Sequence, residues 1–556
     1  MQRRMHRSFD GTPSKSLFVR PHLNGGNEEG VTRPKSPLAF SMWALLLFGV
    51  CILLVFMRLL SGSSPTSHSF YNQDALHPIN YLNGTAVHPP PFNFCPIHGP
   101  RDVVGNKYGA HAMAMSRLHL GSGARIQRLI HRAMSGQPVT ISVLGGSIAS
   151  CHGAGDDPLA ANCWPARFFM WWNSIFPHPA SQITNGARRR TDSSYFAFCH
   201  GHHLPDETDL VILDFDTEDQ NDKQALAHFE LLVRSILNRR DSPAIIVLGH
   251  FSPQLQTVFG FGGPEHQHSV VAQYYDLPHL SVKGIMYHDY LSDPDEYQHT
   301  YHADPVLANS NGHELLSDVL ISYFQHQICK GWDAAWGHAF DVPLLSIEQG
   351  DRKGMNGLLG GIHPNAGGVI KGAEGEGQAK NNPRAKGGDI SPGRNPFRTP
   401  RGRLASRPWD LPKMIEAQPF CVAADDLINP LPPSLFYGSG WHVYHPKGGD
   451  DNLHYWYSTL PSSKLRISIK VGAGDVAVYI LEENKSIKDS ATIGCWVDDN
   501  YGGRVMINND GKGEVRPRLV VIDRGVTEGS HYVECQLLGE DNSPVEQFKI
   551  LGIFAT

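Results

Sequence analysis

A serine at position 147 stands where an enzyme of the α/β class would place a nucleophile. The apolar, β-branched run VTISVL (139–144) continues into LGGSIASCHGAG, so Ser147 comes just after a strand and before small residues. Open α/β sheets bind their ligands at the carboxyl ends of the strands. A serine hydroxyl there can attack an ester carbonyl once a base takes its proton. The G-x-S-x-G pattern is absent, because position 149 is alanine.

The stretch HADPVLANSNGHELL (302–316) holds the types of residue that could serve this serine. Asp304 lies in a turn-rich segment, with His302 before it and His313 nine residues after it. His250 ends the run AIIVLGHF (244–251), and His152 lies close to Ser147 in the chain. Each is a possible general base. The chain has 30 histidines, so a solvated or core role is the more common alternative for each.

The elements around these residues follow an α/β pattern from about residue 111 to 340. Buried-type strands at 139–144, 209–216 and 244–251 alternate with helical spacing at 124–134, at 226–237 and from residue 313 onward. Strands that are apolar on both faces and alternate with helices indicate a parallel sheet covered on both sides. The sequence therefore predicts a three-layer α/β/α domain with the serine at the carboxyl edge of its sheet.

This arrangement resembles the SGNH (GDSL-type) hydrolases over residues 111–340. Their first block is a strand ending in G-D-S or G-G-S, which makes Ser147 the nucleophile. Their second block supplies a glycine N–H to the oxyanion hole, and TNGARRRTDSSYFAFC places Gly186 there. Their third block supplies an asparagine, but DLVILDFDTEDQND has Glu218 at that position. Asn221, three residues later, is the alternative donor.

The fourth block of the family, D-x-x-H-P-N-x-x-G-H, aligns without gaps on residues 304–313. Asp304 is present, but Leu307 occupies the position of the general base and cannot accept a proton. His313 matches the later histidine at the helix start, so the resemblance leaves His302 as the nearest candidate base. An H-P-N sequence at His363 has no aspartate three residues before it and lies in a predicted linker, so we expect no catalytic role there.

These departures bear directly on catalysis. General-base assistance is typically worth about 10²–10⁴ in rate. An ionised Glu218 beside a developing oxyanion would be unfavourable by about 4 kcal/mol at 4 Å and an effective dielectric of 20. Two hypotheses follow. The first is an SGNH-type esterase or acyl transferase acting on acylated glycans. The second is a catalytically inactive SGNH fold that binds glycans or scaffolds other proteins.

An N-terminal anchor is predicted upstream of this domain. PLAFSMWALLLFGVCILLVFM (37–57) carries no charge and is long enough to span a bilayer. Lysines and arginines are frequent before it and absent between residues 58 and 101, which places the N-terminus in the cytosol. We expect a cytosolic tail at 1–36, a signal-anchor at 37–58 and a type II protein of the Golgi, the secretory pathway or the cell surface. The formal net charge of -6 argues against a nucleic-acid partner.

The remaining segments differ in composition. Residues 59–110 are predicted to form a stem, and residues 341–405, rich in Gly, Pro and mixed charge, are predicted to form a flexible linker. Alternating apolar and polar runs at 406–556 predict a β-sandwich.

Eight cysteines outside the anchor predict disulfides, with Cys151–Cys163 and Cys495–Cys535 as local pairs. Asn83 and Asn484 are glycosylation acceptors. The chain has no C-x-x-C or H-E-x-x-H, so we expect no metal or cofactor.

The C-terminal module has candidate sugar-binding residues of its own. Aromatic rings can stack on sugar rings, but they also dominate sandwich cores. The acidic pair Asp498 and Asp499 could bind a cation, although adjacent aspartates are more often part of a turn. The aromatic and histidine candidates, all in a polar, Gly-rich context, are Trp441, Tyr444, His454, Tyr455, Trp456 and Tyr457.

Overall fold

A computed structural model describes the folded part of the chain. It covers residues 76–83, 90–336, 397–411, 414–424, 436–446, 453–472, 474–511, 515–540 and 543–556. Several predictions fall outside these ranges: those for the cytosolic tail, the signal-anchor at 37–58, His363 and most of the linker. No helix within the described residues is long and apolar enough to cross a membrane.

The first domain alternates helices with the strands of a single sheet. Its strands are β1 (Arg117–His119), β2 (Thr140–Gly145), β3 (Gln182–Asn185), β4 (Leu210–Asp214), β5 (Ala244–Gly249) and β6 (His279–Ser281). Its helices are α1 (Val103–Met115), α2 (Ala124–Met134), α3 (Trp164–Ile175), α4 (Ser193–Cys199), α5 (Lys223–Leu237), α6 (Pro253–Phe259), α7 (Pro264–Tyr274), α8 (Lys283–Ser292), α9 (Pro294–Tyr301) and α10 (Ser310–Ala335).

The sheet has the order β1-β6-β5-β4-β2-β3, and only β1 runs antiparallel to its neighbour. Successive strand residues point to opposite faces. In β2, Ile141 and Val143 pack with α2, α3 and α10, whereas Leu144 packs with α4, α5 and α7. Both faces are thus buried under helices, which is why the strands read as continuous apolar runs. The predicted three-layer α/β/α domain is confirmed.

The folded domain begins before the predicted boundary at residue 111. Phe92 and Phe94 are buried in the core beneath α3 and α10, and Phe92 makes an edge contact with Trp332. A disulfide joins Cys95 to Cys329 on α10. Within the predicted stem at 59–110, the aromatic side chains of Phe92 and Phe94 thus help to complete the core of the α/β domain, and Tyr81 and Leu82 pack against it.

The C-terminal module is a sandwich of two antiparallel sheets, as predicted. One sheet has the order β15-β12-β17-β10-β9 with β7 on β17, and the other β14-β13-β16-β11-β8. In β11, KLRISIKV alternates exposed and buried residues, so one face of that sheet contributes to the shared core. The strands are β7 (Phe420–Ala423), β8 (Phe436–Ser439), β9 (His442–Tyr444), β10 (Tyr455–Ser458), β11 (Lys464–Val471), β12 (Val476–Glu482), β13 (Thr492–Val497), β14 (Val505–Asn508), β15 (Arg516–Asp523), β16 (Gly529–Leu537) and β17 (Phe548–Ala555).

The sandwich packs directly on the helical layer formed by α4 and α5. Phe198 of α4 stacks on Phe554 of β17 with ring centroids 5.3 Å apart. Tyr479 of β12 joins the same apolar cluster. Cys199 and Cys421 form a disulfide between α4 and β7. The two modules therefore share one continuous core as well as a covalent bond. Both predicted local disulfides are confirmed, Cys151–Cys163 in the α/β domain and Cys495–Cys535 in the sandwich.

Buried neutral histidines make the folded chain sensitive to acid. Burial lowers the pKa of His313 to about 3 and that of His200 to about 4, in each case with a smaller contribution from a nearby arginine. The unfolded chain takes up a proton near pH 6.5, whereas the folded chain does not. The stability each residue contributes is therefore present above pH 6.5 and is lost as the pH falls below it.

We expect the free energy of unfolding to fall below pH 6.5 by about 1.4 kcal/mol per pH unit for each such histidine. Denaturant unfolding of the full chain between pH 7 and 5 measures this loss. In His313→Gln, the free energy of unfolding is expected to depend on pH less steeply, by about 1.4 kcal/mol per pH unit, which is the contribution of one histidine. The same slope in the wild type and the variant would contradict this role of His313.

Candidate functional site

Ser147 lies in the turn that follows β2, at the carboxyl edge of the sheet. Its side chain is buried, with 5% of its surface exposed. Its Oγ accepts a hydrogen bond of 3.0 Å from the backbone N–H of Arg190. Its own N–H donates to Oε1 of Glu218 at 2.7 Å. The serine is thus fixed between the end of β2 and two other loops of the domain.

Glu218 follows β4 and lies directly against the serine. Its Oε1 accepts the N–H of Ser147 at 2.7 Å. Gly146 permits this approach, because a Cβ at that position would overlap the Glu218 side chain. Burial raises the pKa of Glu218, and the hydrogen bonds from Ser147 counteract part of that rise. A carboxyl of raised pKa therefore lies directly beside Ser147.

Gly186 and Asn221, the predicted oxyanion donors, have other partners in this structure. The N–H of Gly186 donates to the carbonyl of Val143 at 3.0 Å, which continues the pairing of β3 with β2. A Cβ on Gly186 would overlap the carbonyl of His203, so close packing accounts for the glycine. Asn221 is exposed, and its Oδ1 accepts from Gln267. Glu218, the residue at which the sequence departs from the resemblance, lies beside Ser147.

Asp304 and His302 do not form a relay with each other here. The Asp304 carboxylate accepts from the N–H groups of Val306 and Leu307, within its own turn. His302 donates from Nε2 to the carbonyl of Phe251 at 3.0 Å, and its Nδ1 has no partner among the described residues. This tautomer follows from the acceptor, since a carbonyl oxygen can only accept. The described hydrogen bonds of Asp304 and His302 thus go to other partners and not to each other.

The other candidate bases also lie in different settings. His250 is buried with its ring 5.6 Å from that of His302, and burial lowers its pKa well below the usual value. His152 contacts Asp156 and Arg189 near the surface. His313 is fully buried, with Nδ1 close to the Trp164 N–H. The described hydrogen bonds of Ser147 involve no ring nitrogen of these histidines; His152 contacts it only through its backbone N–H, which donates to the Ser147 carbonyl at 3.0 Å.

A buried ion cluster beyond β4 was not anticipated from the sequence. His268 of α7 lies between two carboxylates, with Nδ1 2.6 Å from Asp216 and Nε2 2.8 Å from Asp219. Burial alone would lower the pKa of His268, but these hydrogen bonds raise it to about 10. Asp219 also accepts from the N–H of Ser193 at the start of α4. The cluster holds the loop that carries Glu218 against α7 and α4.

The aromatic candidates of the sandwich separate into core and surface residues. Trp441 and Trp456 are buried in the sandwich core. Tyr444 is 38% exposed and stacks on Tyr455 with ring centroids 4.5 Å apart. His454 hydrogen-bonds His445 at 2.8 Å. The pairing of β9 with β10 thus leaves an aromatic surface, to which Tyr457 also belongs through its contact with His442.

The acidic pair in CWVDDN has partners within the protein. Asp498 accepts from the N–H of Tyr532 and lies 2.7 Å from Nδ1 of His531. Asp499 accepts from the hydroxyl of Tyr532 at 2.7 Å. The backbone of Asp498 has a φ of 51°, typical of a turn. These contacts explain both aspartates as part of the turn that follows β13 and leads toward β14.

Comparison with known proteins shows the fold. No protein-family model and no curated protein matches the chain. Among solved structures, it is similar to a two-domain esterase (CEX) active on acetylated mannans, solved alone and with mannopentaose. The TM-score is 0.53 in both cases, at 16% and 15% identity. The match covers 80% of this chain and 98% and 97% of the esterase chains, so it includes both modules.

Proposed function

We propose that this protein is an esterase or acyl transferase acting on acylated glycans, with Ser147 as its nucleophile. The observation that carries the proposal is the position of Ser147 at the carboxyl edge of the sheet, where its Oγ accepts from the Arg190 N–H and its own N–H donates to the Glu218 carboxyl. Nucleophile and base within hydrogen-bond reach are the signature of covalent catalysis. The fold shared with an esterase active on acetylated mannans, across both modules, supports an acylated carbohydrate as substrate.

In the proposed first step, Ser147 Oγ attacks the ester carbonyl while its proton moves to the Glu218 carboxylate. The tetrahedral intermediate then collapses, the glycan oxygen leaves with that proton, and the acyl group stays on Ser147. A raised pKa suits this role, because a base is most effective when its pKa lies near the working pH. Glu218 thus takes the role that the resemblance assigns to a histidine at position 307.

The second step distinguishes hydrolysis from transfer. Water attacking the acyl-enzyme gives an esterase, and a second sugar hydroxyl gives an acyl transferase. Both acceptors lose their proton to the same base, and both restore Ser147. We propose that either reaction takes place on the lumenal side of the secretory pathway or at the cell surface. The uncharged run at 37–57 supports this location. So do the four disulfides, which require an oxidising compartment.

A non-catalytic glycan-binding protein is the second candidate. Two observations favour it: Leu307 stands where the family has its base, and the Asp304 carboxylate is engaged in its own turn. The stacked Tyr444 and Tyr455 on the sandwich would then provide a sugar-binding surface. This candidate predicts a folded protein that binds glycans and has an unreactive Ser147.

A fluorophosphonate probe separates the two candidates, because it labels only an activated serine. We expect the full chain, made in an oxidising host, to be labelled and to hydrolyse a simple aryl acetate. Ser147→Ala is expected to abolish both. Ser150→Ala is the matched control, since its hydroxyl donates to the Ser147 carbonyl without contacting Oγ. A folded chain without labelling would refute the acyl-enzyme and leave the binding function.

A further inference from the structure

Three buried side chains converge at one point beside the carboxyl ends of β4 and β5. Asp216, Glu265 and His279 each present an oxygen or nitrogen, and these atoms all lie within 4.8 Å of one another. The three residues are 2%, 7% and 0% exposed. Asp216 Oδ2, Glu265 Oε1 and His279 Nε2 have no hydrogen-bond partner within the described part of the chain. Buried polar atoms are rarely left in this state, because each unsatisfied group is costly.

Each of these residues is oriented by a second contact on its other polar atom. Asp216 Oδ1 pairs with Nδ1 of His268. Glu265 Oε2 forms an ion pair with Lys283. His279 Nδ1 lies 3.0 Å from the Ser269 hydroxyl. Such outer contacts fix the tautomer and direction of metal ligands in proteins. The arrangement therefore has both a set of ligand atoms and the support that a metal site requires.

The local charge also favours a cation. Three carboxylates of the cluster meet only two cationic side chains. The carboxylates belong to Asp216, Asp219 and Glu265, and the cations to His268 and Lys283.

We propose that Asp216, Glu265 and His279 bind one divalent transition-metal ion. A nitrogen ligand with two carboxylates fits Zn²⁺ or Mn²⁺ better than Mg²⁺ or Ca²⁺, which take oxygen ligands almost exclusively. Bonds of about 2.0–2.2 Å to one ion would bridge the three atoms, which lie within 4.8 Å of one another, after small side-chain movements. The ion would join α7 to the ends of β4 and β6. This site is separate from the ester chemistry proposed for Ser147 and does not depend on it.

The three ligands are far apart in the sequence, which explains why no sequence motif predicts this site. Its ligands come from the end of one strand, the first turn of a helix and the start of another strand, so they form no short motif. Only the parallel order of β4, β5 and β6 brings them together. The alternative is a proton shared between Asp216 and Glu265, which would satisfy one pair of oxygens and leave His279 Nε2 unpaired.

The metal content of the full chain tests the proposal. We expect one Zn²⁺ or Mn²⁺ per chain by mass spectrometry after purification without chelators. We also expect EDTA to lower the melting temperature and Zn²⁺ to restore it. Ca²⁺ is expected not to restore it. A folded wild-type chain that takes up neither Zn²⁺ nor Mn²⁺ would overturn the proposal without reference to any variant.

Variants then locate the ion. Glu265→Gln and His279→Gln are each expected to weaken Zn²⁺ binding at least about tenfold, and Ser269→Ala by a smaller factor. Glu230→Gln is the matched control, because Glu230 is a buried carboxylate bonded to Tyr275 elsewhere in the domain. Equal Zn²⁺ content in all four variants and the wild type would place the ion at other histidines and refute this site.

Discussion

Replacing Glu218 with glutamine is expected to slow both probe labelling of Ser147 and aryl acetate turnover by about 10²–10⁴-fold. The amide keeps the size of the side chain but cannot accept the serine proton. In the wild type, labelling is expected to rise with pH as the Glu218 carboxyl, whose pKa is raised by burial, loses its proton. This pH dependence should be absent in the variant. Labelling rates measured across pH give both quantities.

Asparagine at 218 makes the test two-sided, because it supplies the amide that the SGNH resemblance leads one to expect there. If the Glu218 carboxyl only obstructs the oxyanion site, both amide variants will label faster than the wild type. If Glu218 is the base, both will label more slowly. Asp222→Asn is the matched control, since Asp222 caps α5 through its carboxylate oxygen and asparagine can do the same. Loss of labelling in that control would indicate a general disturbance of the loop.

Arg234→Met is expected to lower the free energy of unfolding by about 3 kcal/mol. Arg234 is buried on α5, and its guanidinium donates to the Glu416 carboxylate and to the carbonyls of Pro400 and Gly402. Hydrogen bonds to charged groups contribute about 1.5–3 kcal/mol each, and the variant loses several at once while retaining similar volume. The bonds tie the chain that leads into the sandwich onto the helical layer.

Denaturant unfolding of the full chain measures this effect. Arg234→Lys keeps the charge but cannot reproduce the planar, forked donor, so we expect a value between the wild type and Arg234→Met. Both modules should lose stability together, because α5 and the sandwich share one core. An unchanged unfolding midpoint for Arg234→Met would show that water replaces these bonds without cost.

The sequence pattern predicted the strands of both modules and the two disulfides between cysteines that are close in the chain. The runs ending near Gly145, Asp214 and Gly249 are apolar because helices cover both faces of the sheet, and that burial is readable residue by residue. The sandwich strands were readable because one face is buried and the other is not, as in KLRISIKV. The disulfides Cys151–Cys163 and Cys495–Cys535 were readable because their partners are close in the chain.

Contacts between segments that are far apart in the chain could not be predicted from the sequence. Phe92 gave no sign of belonging to the core, because the segment around it is rich in proline and polar residues. The Gly186 N–H donates to the Val143 carbonyl, and the Asp304 carboxylate accepts within its own turn. Both hydrogen bonds depend on the path of the backbone, which the sequence pattern does not give. Glu218 was identified as a departure from the family, but its contact with Ser147 required the relative position of β2 and β4.

The bond between Cys199 and Cys421 crosses the stretch 337–396, which connects the two modules in the chain. A protease that cuts once within this stretch would produce two polypeptides that remain one covalent molecule. Such a nicked protein would migrate as a single band on a non-reducing gel and as two bands after reduction. A single cut in the connection would therefore leave Ser147 and the sandwich attached to each other, and a mass measurement without reduction would not separate the two pieces.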